Sequence, residues 1–195
     1  MIGVLKSNES VLQKICEERG FNGKKYFKSE RLLYRPYQMR DVKTLVALRN
    51  EDSRRKWFYF QEPDILTEEC AIKHINENIT LWSKTTTLLD EEKGLAVVLK
   101  DSNKLIGFIG LGKSRCDDVE IGYEIGEQYQ NQGYATEAIN AAVEWGFSRL
   151  RELGAELKII GKPEPANIPS CRVLEKAGFT FSHAEEYLSV YEILG

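Results

Sequence analysis

The chain has 195 residues, which suits one globular domain with a sizeable core. Hydrophobic residues make up 42% and charged residues 29%, an ordinary balance for a folded soluble protein. The 27 basic and 30 acidic residues leave a net charge of −3, so no basic excess exists to drive binding to a phosphate backbone. Nucleic acid is therefore not an expected partner.

Membrane, export and metal signals are missing from the sequence. No apolar run is long enough to span a bilayer, and the N-terminus lacks the pattern of an export signal. The four cysteines are scattered without a CxxC pair, and His74 and His183 lie far apart, as ordinary structural or surface residues would. The sequence thus predicts a cytoplasmic protein, monomeric or homodimeric, with no metal site and no membrane partner.

Hydrophobic periodicity divides the chain into an N-terminal extension, residues 1–29, and a single domain, residues 30–195. Within the extension, Asn8 to Arg19 has the spacing of a short amphipathic helix. Further elements are predicted, in chain order, as a strand at Leu32–Tyr34, a helix capped by Asp41, a helix from Thr67 to Trp82, a hairpin of Leu95–Leu99 and Leu105–Leu111, a strand at Val119–Ile125, a helix at Tyr134–Leu150, a strand at Leu157–Ile160, a helix at Pro169–Ala177 ended by Gly178, and last strands around Phe179–Phe181 and Tyr187–Leu194. This order predicts an α/β or α+β sandwich with one mixed sheet.

The segment from Gln130 to Ala135 joins a predicted strand to a predicted helix. A helix N-terminus exposes backbone N–H groups and partial positive charge, which together bind anions such as a pyrophosphate. Gly133 has no Cβ and lets the backbone approach a ligand closely. An ordinary strand-to-helix turn explains the same spacing equally well, so the loop alone leaves both interpretations open.

Several separated motifs resemble the GNAT acetyltransferase superfamily. The run Gln130-x-x-Gly133-x-Ala135 resembles its acyl-CoA pyrophosphate motif. Val119 to Ile125 with Gly133 to Ala138, and the later run Asn167 to Phe179, resemble the RimJ/RimL branch, whose known members acetylate protein N-termini. Glu30 to Pro36 is similar to the first strand of that branch. The resemblance covers the chain from about residue 30 to its C-terminus, with the motifs in the right order.

The resemblance implies a mostly antiparallel twisted sheet, flanked by helices and splayed at an acetyl-CoA site. The strand residues Tyr123, Glu124 and Ile125 would lie along the pantetheine arm through their backbone, and a strand N–H would stabilise the oxyanion. Asn167 would hydrogen-bond the same arm or cap a helix. The phosphates would lie against the loop residues Gln130, Asn131, Gln132, Gly133, Tyr134 and Ala135.

The resemblance also assigns catalytic candidates. Ser170 would lie near the cofactor sulfur, as a hydrogen-bond donor to the leaving thiolate or as a helix cap. Leu174 stands where many superfamily members carry a tyrosine acid, so that acid is missing here. Glu120 is the first candidate for the group that accepts the amine proton, although a solvated charge on the sheet explains it as well. Cys171 is expected to be a buried cysteine and Glu137 to favour the helix dipole.

The acceptor side is defined least by the sequence. Trp57 and Phe58 fall where the superfamily shapes its acceptor pocket, with core packing as the alternative. Arg49, Asn50 and Arg54 precede them and either bind an anionic group or are exposed helix charges. The resemblance favours a protein N-terminal α-amine as acceptor. A small amine (an amino sugar, a polyamine or an antibiotic) and a non-catalytic acyl-CoA-binding module are the alternatives.

Overall fold

The computed structural model describes residues 27–57, 65–83, 93–113 and 118–195. The helix predicted at Asn8–Arg19 and the acceptor candidate Phe58 lie outside the described residues. Phe27 and Lys28 pair with the next strand and so belong to the sheet. They precede the predicted domain boundary at residue 30.

Eight strands in the described residues form one sheet. In chain order the elements are β1 (Phe27–Lys28), β2 (Leu32–Arg35), α1 (Val42–Arg49), α2 (Asp52–Trp57), α3 (Glu68–Ser83), β3 (Lys93–Leu99), β4 (Leu105–Lys113), β5 (Val119–Ile125), α4 (Tyr134–Glu152), β6 (Lys158–Gly161), α5 (Ile168–Lys176), β7 (Thr180–Ala184) and β8 (Ser189–Leu194). The strand order is β1-β2-β3-β4-β5-β6-β8-β7. All neighbours are antiparallel except β5 and β6, which run parallel. The predicted mixed, mostly antiparallel sheet is confirmed.

Both faces of the sheet are covered by helices. Successive side chains of a strand point to opposite faces, and β3 is apolar from Leu95 to Leu99, where both of its faces are covered. Leu95 and Val97 pack on the side of α4, while Ala96 and Val98 pack on the side of α1 and α3. We call these the α4 face and the α3 face. Each fully buried aliphatic side chain stabilises the fold by about 1.5–3 kcal/mol.

A buried ion pair fixes the start of α1. The carboxylate of Asp41 accepts hydrogen bonds from Arg35 Nη1 at 2.6 Å and Nη2 at 2.9 Å, and from the backbone N–H of Gln38 at 2.8 Å. The sequence predicted that Asp41 caps the helix, but its side chain makes no cap hydrogen bond there. The charged guanidinium is the stronger partner for the carboxylate.

Two left-handed glycines lie just outside the ends of α4. Gly133 precedes the helix with φ +80°, and Gly154 follows it with φ +64°. The helix between them has 19 residues, so about 28 Å separates its ends. No helix in the described ranges is both long and apolar enough to cross a membrane.

Candidate active site

The two parallel strands β5 and β6 pair at one position. Their register joins Glu120 to Ile160, and β5 then continues for five more residues to Ile125 with no further pairing to a described strand on that side. Its other edge stays paired with β4 along its whole length. The strands therefore separate beyond Glu120, which leaves the backbone edge of β5 facing a cleft of about 1910 Å³. A splay at this strand was expected from the sequence.

The loop after β5 leads along this cleft into α4. Asn131 and Gly133 both have positive φ, at 59° and 80°, and no side chain caps the helix. Alternating left- and right-handed residues turn successive N–H groups toward one side, which makes an anion-binding concavity. The loop residues that line the cleft are Gln130, Asn131, Gly133, Tyr134 and Ala135, together with Thr136.

Two glutamines of the loop hold it together. Gln130 Nε2 donates to the carbonyl of Ile125 at 3.0 Å, and Gln132 Nε2 donates to the carbonyl of Gln128 at 3.0 Å. Gln132 does not line the cleft. Its side chain therefore stabilises the loop itself, and its assignment to the cofactor phosphates stays a prediction.

Arg31, which was not singled out from the sequence, directly precedes β2 and holds the loop in place. Its guanidinium donates to Glu137 Oε2 at 2.7 Å and to the carbonyl of Gln132 at 3.0 Å, and it lies 4.2 Å from the ring centre of Tyr134. Ser29 Oγ and the Arg31 backbone N–H donate to Glu137 Oε1. Burial opposes ionisation of Glu137, but these hydrogen bonds outweigh it and lower the Glu137 pKa.

Ser170 lies across the cleft from β5 and is joined to Tyr123. The two hydroxyl oxygens are 2.7 Å apart, and the Tyr123 hydroxyl also lies 3.0 Å from the Ser170 carbonyl, to which it can donate. Asn167 caps α5, because its Oδ1 accepts from the Ser170 backbone N–H at 3.2 Å. Burial raises the pKa of Tyr123 to about 12, although the Ser170 hydrogen bond opposes this, so the phenol keeps its proton at neutral pH.

Two residues near Ser170, Leu174 and Cys171, were considered from the sequence, and both are buried. Leu174, at the position where a tyrosine acid was missed, is buried with 1% exposure. Cys171 is also buried, and its sulfur lies 4.0 Å from the carbonyl of Glu164. The tyrosine hydroxyl that contacts Ser170 belongs instead to Tyr123 of β5.

Alternate residues of β5 present their side chains on the α3 face. Ile121, Tyr123 and Ile125 pack with the α4-face cluster, which leaves Glu120, Gly122 and Glu124 on the opposite face. Glu120 and Gly122 both line the cleft. A Cβ placed on Gly122 would meet only Phe108, at 4.0 Å, so this glycine leaves open space between the two glutamates.

Glu124 lies among two arginines of the neighbouring helices. Arg54 Nε of α2 lies 3.0 Å and Arg49 Nε of α1 lies 3.7 Å from Glu124 Oε2, and the three side chains are 9–16% exposed. Burial raises the pKa of the Glu124 carboxyl, and the two guanidinium charges oppose that shift. The sequence assigned Glu124 to the cofactor. That assignment concerned the Glu124 backbone and stays a prediction, while the side chain lies with the arginines on the α3 face.

Other side chains surround this group, which we call the arginine cluster (Arg49, Arg54 and Glu124). Trp57 and His74 line the cleft beside it. Burial, with Arg49 nearby, lowers the pKa of His74, so the imidazole is neutral at pH 7. Asn50, expected as an anion ligand, instead exchanges two hydrogen bonds with the backbone of Leu66. Among the described residues no group of three His, Cys, Asp or Glu side chains is placed to hold a metal.

The comparisons with known proteins agree with this geometry. Residues 31–180 match the family model described as an acetyltransferase (GNAT) domain. The N-acetyltransferase YnaD of Bacillus subtilis (strain 168), itself uncharacterized, is 33% identical over 151 residues, which cover 77% of this chain and 79% of the relative. The chain belongs to the GNAT acetyltransferase family. It is therefore an acetyl-CoA-dependent N-acetyltransferase.

Solved GNAT structures have the same fold. A GNAT acetyltransferase from Bacillus anthracis superposes with a TM-score of 0.68 at 28% identity, over 87% of this chain and 98% of that one. A spermidine N-acetyltransferase from Vibrio cholerae, solved with CoA and spermine, superposes with a TM-score of 0.64 over 85% of this chain and 96% of that one. The second is 20% identical, so it shows the fold alone.

Proposed function

We propose that this GNAT domain transfers an acetyl group from acetyl-CoA to a primary amine by direct attack within a ternary complex. The observation that carries the proposal is the separation of β5 from β6 after Glu120, immediately before a loop with two left-handed residues and an uncapped helix. An extended arm fits the unpaired strand edge, and a pyrophosphate fits the N–H groups beyond it.

Binding of acetyl-CoA is assigned to backbone groups more than to side chains. Tyr123, Glu124 and Ile125 would pair with the pantetheine arm through the open edge of β5. Gly133 to Ala135 would hold the pyrophosphate, and Arg31 adds a positive charge that already contacts this loop. Asn167 uses its carbonyl oxygen on the Ser170 N–H, so its Nδ2 hydrogens are the part available to the arm.

The Tyr123–Ser170 pair is the proposed hydrogen-bond donor to the departing sulfur. Acetyl-CoA supplies an acetyl group activated as a thioester, which the amine attacks as the thiolate leaves. When Tyr123 donates to the Ser170 carbonyl or hydroxyl, the Ser170 proton can be directed at a neighbouring acceptor. A hydrogen bond to a charged group is worth about 1.5–3 kcal/mol, so this pair would replace part of the missing tyrosine acid.

Glu120 remains the proposed group that receives the amine proton. Its backbone is fixed from both sides, opposite Gly112 of β4 and Ile160 of β6. It stands where the strands part, on the face that carries the arginine cluster. Glu120→Gln is expected to lower turnover at neutral pH. Unchanged rates across pH would exclude Glu120 as the base.

The acetyl transfer is tested with purified full-length chain, by calorimetry with acetyl-CoA and by thiol release with a panel of amines. Tyr123→Phe and Ser170→Ala are expected to lower kcat about tenfold, equivalent to 1.4 kcal/mol, with little change in the Kd for acetyl-CoA. Tyr187→Phe, at a residue 73% exposed, is the control and should behave as wild type. Binding of acetyl-CoA without transfer to any amine would identify a non-catalytic acyl-CoA-binding module instead.

A further inference from the structure

We infer that the acceptor carries an anionic group, a carboxylate or a phosphate, close to its amine, and that the arginine cluster binds this group. The inference rests on the proposed acetyl transfer and names the acceptor class for the same cleft. It favours a small amino acid-like or phosphorylated amine over a polyamine.

The arginine cluster has an excess of positive charge. Two guanidiniums share one carboxylate, so Arg49, Arg54 and Glu124 together carry a net charge of +1 in a mostly buried setting. The carboxylate of Glu51 also lines the cleft, where its Oε2 accepts the backbone N–H of Glu127 at 2.8 Å and forms no ion pair with either arginine of the cluster among the described contacts. On the facing helix α3, Lys73 and Glu77 pair with each other at 4.0 Å.

Buried arginines commonly hold carboxylates and phosphates because the planar guanidinium donates two parallel hydrogen bonds. Arg54 uses Nε on Glu124 at 3.0 Å, and Arg49 approaches the same oxygen only at 3.7 Å. The Arg49 contact exceeds ordinary hydrogen-bond length. Arg49 is therefore the member of the cluster that has most to gain from a second anion.

Two buried polar atoms, the Tyr37 hydroxyl and His74 Nε2, lie near the arginine cluster. Within the described residues, His74 lines the cleft and its Nε2 has no hydrogen-bond partner. The Tyr37 hydroxyl lies behind the cleft wall, close to Arg49, without a hydrogen bond of acceptable geometry. Tyr37 is 1% exposed, and its pKa is raised to about 12 by burial, with the charges of Arg49 and Glu124 acting on it. Buried polar groups are normally paired with protein, water or a ligand, so His74 Nε2 offers a ligand in the cleft an unused hydrogen-bonding atom.

The spacing of Gly122 and Glu124 along β5 suits an acceptor that carries an amine and an acidic group. Gly122 leaves open space on the same face of β5, and Glu124 lies two positions further along the strand, about 7 Å away. Tyr123, between them, contacts Ser170 on the other face. Glu120, Tyr123 and Ser170 line the same cleft as Gly122, so an amine lying over Gly122 would be close to the proposed base while an acidic group on the same molecule reached the arginines. A second positive charge on the acceptor, as in a polyamine, would be repelled by the two arginines.

The test compares acceptors that differ only in charge. Thiol release from acetyl-CoA is measured with propylamine and β-alanine as the carboxylate pair, ethanolamine and phosphoethanolamine as the phosphate pair, and spermidine as the polycation. The anionic member of at least one pair is expected to have a kcat/KM about tenfold or more above its neutral partner. The better pair distinguishes a carboxylate from a phosphate.

The variant is Arg49→Gln, which leaves the closer Arg54–Glu124 pair in place. It should abolish the preference for the anionic acceptor through KM and leave the acetyl-CoA Kd unchanged. Arg55→Gln is the matched control, because Arg55 lies on α2, is exposed and does not line the cleft. Arg49→Lys, which keeps the charge, should retain part of the preference.

A binding measurement separates this inference from the proposed reaction. Thermal stabilisation by β-alanine and by phosphoethanolamine is recorded for wild type and Arg49→Gln, with acetyl-CoA absent. Stabilisation that Arg49→Gln loses and Arg55→Gln keeps would support the anion site even if no amine were acetylated. Acetylation that favours spermidine or the neutral amines, or anion stabilisation that survives in Arg49→Gln, would overturn it.

Discussion

The two left-handed glycines that flank α4 allow backbone strain to be separated from ligand binding. Gly133→Ala and Gly154→Ala each place a Cβ on a residue with positive φ, which costs about 1–2 kcal/mol. Neither Cβ meets a close neighbour, since Arg31 Nη2 lies 3.4 Å from the one at Gly133 and nothing lies within 4 Å of the one at Gly154. For a domain of about 150–250 residues this cost lowers Tm by roughly 2–8 °C in both variants.

Only Gly133 lines the cleft, so the two variants should differ in cofactor affinity. A methyl group that displaces a phosphate from one backbone N–H loses a charge-assisted hydrogen bond of about 1.5–3 kcal/mol. The Kd of acetyl-CoA should therefore rise roughly ten- to a hundredfold in Gly133→Ala and stay unchanged in Gly154→Ala. Calorimetry gives the Kd and differential scanning gives Tm. Equal affinities in the two variants would refute the phosphate-binding role of the loop.

Three further predictions concern Glu137, Gly107 and Gly122. Because hydrogen bonds lower the pKa of Glu137, its stabilising effect is present above the usual carboxyl value of 4.5 and is lost as pH falls through the folded-state pKa. Glu137→Gln should lower the free energy of unfolding near neutral pH and matter less in acid, as measured by urea unfolding; a deficit independent of pH would contradict this. Gly107→Ala brings a Cβ 2.1 Å from the Glu124 carbonyl oxygen and should cost at least about 3 kcal/mol. Gly122→Ala, with its nearest neighbour at 4.0 Å, should fold like wild type and raise only the acceptor KM; wild-type acceptor kinetics would remove Gly122 from that site.

Local patterns in the sequence located most of the sheet and the long helices. Val119–Ile125 alternates and was predicted with its observed bounds, because one face packs under α4 and the other faces the cleft. The helix after Gly133 begins at Tyr134 as expected, and Gly178, with φ +90°, follows the end of α5. Such features depend on neighbours in the chain, which a single sequence contains.

The features that were missed depend on residues far apart in the chain. The Tyr123–Ser170 contact spans 47 residues, and the Arg54–Glu124 pair spans 70. The two-residue strand β1 has too short a pattern to detect and exists through its pairing with β2. Arg31 lies inside the motif from Glu30 to Pro36, but its hydrogen bond to the Gln132 carbonyl, 101 residues away, depends on the fold.

The single β5–β6 pair also has a consequence for the cooperativity of the fold. Backbone hydrogen bonds join β1 to β5 as one unit and β6, β8 and β7 as another; the two units share an apolar core, but among the described strands they pair only at Glu120 and Ile160. Without ligand, the second unit can open locally at a lower free energy than the first, so its amide hydrogens should exchange faster with solvent. A ligand lying between β5 and β6 as an additional strand would link the two units, and would slow that exchange well beyond the residues it contacts.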